Sequence, residues 1–197
     1  DGGVSYVGDV CMVGRRMSVV ESGSLPWMVH GAAHELGHNL GSYHDGDEAA
    51  AACNAEDSFI MSPERQDPFP ELPYSKNPWL FSKCSVDAFK ATLKSKKCLG
   101  SPGPHYNKEE YANHVMKQAG EVFIPNEQCE LIVGFNSILC ETAPENVCQL
   151  MRCTDPNTRI CGHRYYGAAR GTECGRDKWC IDGLCVPRRL KQHQDDS

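Results

Sequence analysis

The chain has no apolar run near the ~20 residues that a membrane-spanning helix requires, so a span within it is excluded. It also has no basic excess: 20 Lys and Arg stand against 26 Asp and Glu, for a formal net charge of -6 and a pI of about 5.7. Without a broad basic surface to neutralise phosphates, nucleic acid is not an expected partner. The one basic cluster, Arg188 and Arg189 with Lys191, lies in a polar tail and reads as solvation. No two cysteines stand at C-x-x-C spacing, which removes zinc ribbons and thioredoxin-like sites. Repeats and low-complexity tracts are missing. So is a charged and apolar leader: the chain opens at Asp1 on a strand-like segment, and further sequence upstream is expected.

What the chain does have is cysteine, 12 in 197 residues. An even count in a loop-rich sequence favours disulfides, which persist in oxidising compartments, so a secreted protein or an ectodomain is expected. Residues 1–99 hold four cysteines and read as mixed structure; 126–186 hold eight and little helical periodicity. Between them, Gly100-Ser101-Pro102-Gly103-Pro104 can continue neither a helix nor a central strand. The expected organisation is a first domain over 1–99, a linker over 100–125, a disulfide-rich domain over 126–186 and a polar tail over 187–197.

Alternation over Gly3 to Val7 and over Met17 to Val20 suits two strands. A helix then follows: Ser24 can cap it, Pro26 suits its first turn, and Trp27, Met28, Ala32, Ala33 and Leu36 give an apolar stripe up to about Asn39. Gly41 stops it, because glycine reaches the left-handed conformation without steric cost. Helical spacing returns over Val86 to Leu93, leading into Cys98.

The helix carries the chemistry. His34 and His38 are four apart, so they share a face and can hold one metal ion. After the break at Gly41 the chain can return His44 to the same point, giving three neutral imidazoles and one open coordination position, the mark of a catalytic rather than a structural site. A zinc ion so bound lowers the pKa of its water from ~16 to about 7, and Glu35, directly after His34, can accept that proton as general base and later deliver it to the leaving amine. Unliganded surface or core histidines are the bland alternative; five fixed positions in one pattern argue against it. His30 also lies four residues from His34, but no glutamate follows it and a pair there would leave out Gly41 and His44, so it reads as a helix-face residue. Met61, in Phe59-Ile60-Met61-Ser62-Pro63, precedes a turn; taken alone, such a methionine is core filler.

HExxHxxGxxH followed by a methionine turn resembles the metzincin metalloproteases, and Asp45 after His44 resembles their reprolysin (adamalysin) branch, which includes the ADAM, ADAMTS and venom or salivary metalloproteases. The resemblance implies an α+β fold, the C-terminal portion of a metzincin catalytic domain with its zinc helix, edge strand and methionine turn, followed by a small disulfide-rich disintegrin-like domain. It implies one catalytic Zn2+ held by His34, His38 and His44, Glu35 as catalytic base, Gly41, Asp45 and Met61 as structural support, and residues 63–79 as a wall of the specificity pocket. A Ca2+ ion rests on the resemblance alone. Gly3, Val4 and Ser5 would form the edge strand to which an extended substrate adds through backbone hydrogen bonds. Implied disulfides are Cys11-Cys98 and Cys53-Cys84; Arg16 and Met17 stand near where ADAMTS members often carry a further cysteine, so that bridge is not expected.

Residues 129–185 resemble the ADAMTS disintegrin-like domain, most tellingly over Lys178 to Cys185. Eight cysteines allow 105 pairings and spacing does not choose; the resemblance implies Cys129-Cys153, Cys140-Cys161, Cys148-Cys180 and Cys174-Cys185. Arg170-Gly171-Thr172 invites comparison with integrin-binding tripeptides but lacks the aspartate, and an exosite for a matrix or cell-surface partner is the preferred reading. Only 33 residues precede His34, where the family places most of a central sheet, so a partial catalytic domain is expected. The expected function is a secreted zinc endopeptidase acting on extracellular or plasma proteins. The alternatives are a non-catalytic extracellular binding module acting through the cysteine-rich region, and a fragment that is inert by itself.

Overall fold

The computed structural model describes residues 2–22, 25–63, 77–100, 102–103 and 106–188. It mixes helices with short strands, carries six disulfides, and divides into two compact units, Asp1–His114 and Val115–Ser197.

In the first unit, β1 (Gly3–Ser5) pairs antiparallel with β2 (Ser18–Val20) in a two-stranded sheet, with Val4 opposite Val19. The alternation suited a strand to Val7, but the strand ends sooner: Gly8 at φ 73° redirects the chain, and its N–H goes to the His38 carbonyl at 2.9 Å. The sheet packs on α1 (Leu25–Asn39), the helix of the histidine motif. Ser24, the expected cap, lies outside the described residues. A second helix, α2 (Lys83–Ser95), starts three residues before the apolar spacing, because Ser82 caps it by accepting the Ser85 N–H at 3.2 Å. Disulfides Cys11-Cys98 and Cys53-Cys84 tie the β1 loop and the 53 loop to the two ends of α2. Among the described residues, the buried apolar side chains of this unit are Ala50, Ile60 and Met61, whereas Glu35, Asn39, Ser42, Asp45, Ser82 and Ser85 are buried polar ones. A polar interior of this kind must be hydrogen-bonded to be stable.

The stretch read as a linker carries α3 (Lys108–Val115) and α4 (Ala119–Val122), and the boundary between units falls at 114/115, inside that stretch. In the second unit α4 is followed by α5 (Pro125–Val133), which the weak helical periodicity did not signal. Its start is local chemistry: Pro125 in the first turn, and the Glu127 carboxylate accepting the Ile124 N–H at 3.0 Å. β3 (Leu150–Thr154) and β4 (Cys161–Tyr166) form a hairpin; β5 (Glu173–Gly175), β6 (Lys178–Ile181) and β7 (Leu184–Pro187) form a meander. The core of this unit is Cys129, Val147, Cys148, Met151, Cys153, Ala168, Cys174 and Cys180. Five of these eight are half-cystines, from bridges Cys129-Cys153, Cys148-Cys180 and Cys174-Cys185; Cys140-Cys161 is the fourth bridge. Sulfur thus fills the volume that a domain this small cannot fill with apolar side chains.

Candidate metal centre

One turn of α1 separates His34 from His38, and both rings leave the same face of the helix. Gly41, at φ 103°, reverses the chain beyond Asn39, and a Cβ there would strike Thr92 Oγ1 on α2, so glycine is required on both counts. The reversal carries His44 back to the helix. Its Nε2 lies 3.1 Å from the Nε2 of His34 and 3.1 Å from that of His38, and the three ligand nitrogens all fall within 4.8 Å of one another. His30 is not part of this group.

Hydrogen bonding decides which nitrogens carry protons. His34 Nδ1 donates to the Ile60 carbonyl at 2.7 Å, and His38 Nδ1 donates to the Ser42 carbonyl at 2.8 Å. A carbonyl can only accept, so in each neutral ring the proton sits on Nδ1 and the Nε2 lone pair faces inward. His44 can offer a proton to only one of the two. Three converging nitrogens with at most one proton between them fit a shared cation, and the donor set, three imidazoles, suits zinc. Burial favours the neutral form a ligand needs at two of them: it pushes the His34 pKa down to about 4 and lowers that of His44.

Glu35 is 5% exposed, its Oε2 has no hydrogen-bond partner, and burial raises its pKa above the usual carboxylate range. A buried carboxylate oxygen left unpaired beside three convergent imidazoles has a lone pair free to accept a proton. Met61 is fully buried against the helix, its sulfur only 2.4 Å from where a Cβ on Gly37 would lie. Asp45 is fully buried as well: its N–H reaches the Met61 carbonyl at 2.9 Å, and its Oδ1 accepts from Ser82 Oγ at 2.6 Å. β1 is bound to the end of α1 by Asn39, whose side-chain amide donates to Ser5 Oγ at 3.2 Å, the Tyr6 carbonyl at 3.4 Å and the Arg15 carbonyl at 3.1 Å.

Two family models match the chain: metallo-peptidase family M12 over residues 1–77, and the ADAMTS cysteine-rich domain 2 over residues 119–186. Human "A disintegrin and metalloproteinase with thrombospondin motifs 7" is 32% identical over 94% of this chain and 10% of its own length. Mouse "A disintegrin and metalloproteinase with thrombospondin motifs 12" is 31% identical over 93% of the chain and 11% of its own. The chain belongs to the reprolysin family, with ADAMTS proteins as its relatives. A silkworm protein, "A disintegrin and metalloproteinase with thrombospondin motifs like" from Bombyx mori, is 30% identical over 93% of the chain and 26% of its own length. The chain thus spans a tenth to a quarter of the length of these relatives.

Within this reprolysin chain, the structure brings His34, Glu35, His38 and His44 together and sets Gly41, Asp45 and Met61 around them. β1 lies alongside, with Gly3 against the Glu35 side chain. Most of the expected pocket wall, 64–76, lies outside the described residues. Arg170 pairs with Asp182 at 2.8 Å, and Thr172 is fully buried, so the tripeptide is a structural corner. Asn39, Ser42, Ser82 and Ser85, all buried around the site, were not singled out for it from the sequence. Ser82 and Ser85 did leave a trace, a serine three residues ahead of another at the head of an apolar helical pattern.

Proposed function

We propose that this reprolysin-family chain is the zinc-binding and catalytic part of a secreted metalloendopeptidase that hydrolyses peptide bonds of extracellular or plasma proteins. The observation that carries the reading is the convergence of three histidine Nε2 atoms beside a buried carboxylate with an unpaired oxygen. His34, His38 and His44 would hold the ion. When bound, zinc supplies Lewis acidity, which makes water a nucleophile near neutral pH.

The remaining work falls to the chain. Glu35 takes the proton of the attacking water on its carboxylate and returns it to the departing amide nitrogen, a role its raised affinity for protons suits. The backbone of Gly3, Val4 and Ser5 offers an extended peptide a strand to pair with. Six disulfides support an oxidising, extracellular setting, and among the described residues no helix is long and apolar enough to cross a membrane. The disulfide-rich unit, read as disintegrin-like, would contact substrate away from the scissile bond.

The test is zinc content and peptide hydrolysis for the chain and its Glu35→Ala variant. Removal of the base should lower turnover by about 10²–10⁴-fold while zinc stays bound. Full activity in the variant sinks the mechanism. A chain that takes up no zinc yet binds an extracellular partner through 126–186 would favour the non-catalytic reading.

A further inference from the structure

The third histidine is held differently from the other two. His34 and His38 each give Nδ1–H to a backbone carbonyl, whereas the carboxylate beside the His44 Nδ1, Asp47 Oδ2, stands 3.8 Å away, beyond hydrogen-bond range. The position of His44 therefore depends on the loop that carries it.

That loop is fastened on both sides of His44 to a single turn of α2. Two residues before it, Ser42 Oγ donates to Ser85 Oγ at 3.0 Å, sharing its proton with the Tyr43 carbonyl, also at 3.0 Å. One residue after it, Asp45 Oδ1 accepts from Ser82 Oγ at 2.6 Å. Ser82 and Ser85 hydroxyls are 3.1 Å apart. With the Ser82 proton committed to the carboxylate, Ser85 must donate to Ser82, so the bonds run one way, from Ser42 through Ser85 and Ser82 to Asp45. Chains of hydrogen bonds aligned in this way reinforce one another. All four residues are at most 1% exposed.

Helix formation alone does not require this. Ser82 caps α2, and a cap needs one hydroxyl. Ser85 is already inside the helix, where serine is a mediocre former and a buried hydroxyl is costly unless bonded. Its hydroxyl is used on the metal loop. The same Ser42 whose side chain it holds supplies the carbonyl that orients His38.

We propose that Ser82 and Ser85 are positioning residues for the metal centre: the first turn of α2 clamps both flanks of His44, and through Ser42 the carbonyl partner of His38, and so sets metal affinity. This rests on the metal-centre reading above. The test uses the full chain, with zinc affinity measured by competition against a chromophoric chelator and coordination geometry by the visible absorption of the cobalt(II) form. Ser82→Ala and Ser85→Ala should each weaken zinc binding about tenfold or more and alter the cobalt bands, while far-ultraviolet circular dichroism is retained and Ser82→Thr, which restores the hydroxyl, keeps native affinity. Should Ser82→Ala fail to fold, Ser42→Ala leaves the cap intact and reports on the same clamp. Folded alanine variants with native zinc affinity and native cobalt spectra overturn the proposal. If the unsubstituted chain binds neither zinc nor cobalt, the metal-centre reading itself fails, and that result is distinguishable from failure of the clamp.

Discussion

Gly3 lies against the residue that the mechanism needs most. A Cβ added there would sit 2.7 Å from Glu35 Cγ, 2.7 Å from Glu35 Oε1 and 2.7 Å from the Val19 carbonyl oxygen. Carbon contacts settle at about 3.5–4.0 Å, so Gly3→Ala demands a retreat of roughly 1 Å on that side. The Val19 carbonyl belongs to the β1–β2 ladder, where Val4 faces Val19, and cannot yield without separating the strands. The Glu35 side chain yields on its side, while a small parting of β1 from β2 relieves the contact with the Val19 carbonyl. Overfilling a packed site of this kind costs about 1–3 kcal/mol, which the fold can tolerate. A catalytic group displaced by about 1 Å loses on the order of 10²-fold in rate. The three histidines are not in the path of the new methyl group, so zinc content should be unchanged. The assay is kcat for a quenched fluorescent peptide together with metal analysis on the same samples. Native kcat in Gly3→Ala, or an activity loss that simply follows loss of zinc, would refute the reasoning.

Joint replacement of Cys53 and Cys84 by serine opens a loop of 31 residues and should lower stability by about 3–4 kcal/mol, read from denaturant unfolding. Because Cys84 sits between Ser82 and Ser85, zinc affinity should fall in the same variant; unchanged affinity would show that α2 holds its place without the bridge. Gly167→Ala would drive a methyl group into the Cys148 carbonyl, a rigid backbone atom, and should destabilise the second unit by about 3 kcal/mol or more, seen as a lowered melting temperature. Chelation of the metal should lower stability by about 2.7 kcal/mol relative to zinc at a hundredfold excess over its Kd, and calorimetry showing equal melting temperatures would count against a resident ion.

Short-range features were legible because they are written in consecutive residues. The helix of the motif, its stop at Gly41 and the return of His44 follow from helical spacing and one glycine. Strand positions were legible from alternation, though not the early end of β1, since that depends on a hydrogen bond from Gly8 to His38, 30 residues away. The serine clamp was invisible for the same reason: Ser42 and Ser85 are separated by 43 residues, and nothing about either alone marks it as buried. The boundary between the compact units, at 114/115, falls within the 100–125 stretch that separates the two cysteine-bearing regions. Disulfide connectivity could not come from spacing at all; it came from resemblance, and the structure contains those pairs.

The sulfur-filled centre of the second unit sets a timetable for its maturation. Among the described residues, Val147, Met151 and Ala168 are the other members of this buried core, with Ile132, Val133 and Leu139 partly buried against it, so the bridges supply much of what fixes its packing. Packing and cross-linking must therefore advance together, and the pace is that of thiol exchange, seconds to hours, rather than the microseconds of hydrophobic collapse. The unit's maturation is therefore paced by an external oxidant or a thiol–disulfide exchange catalyst rather than by the chain's own collapse.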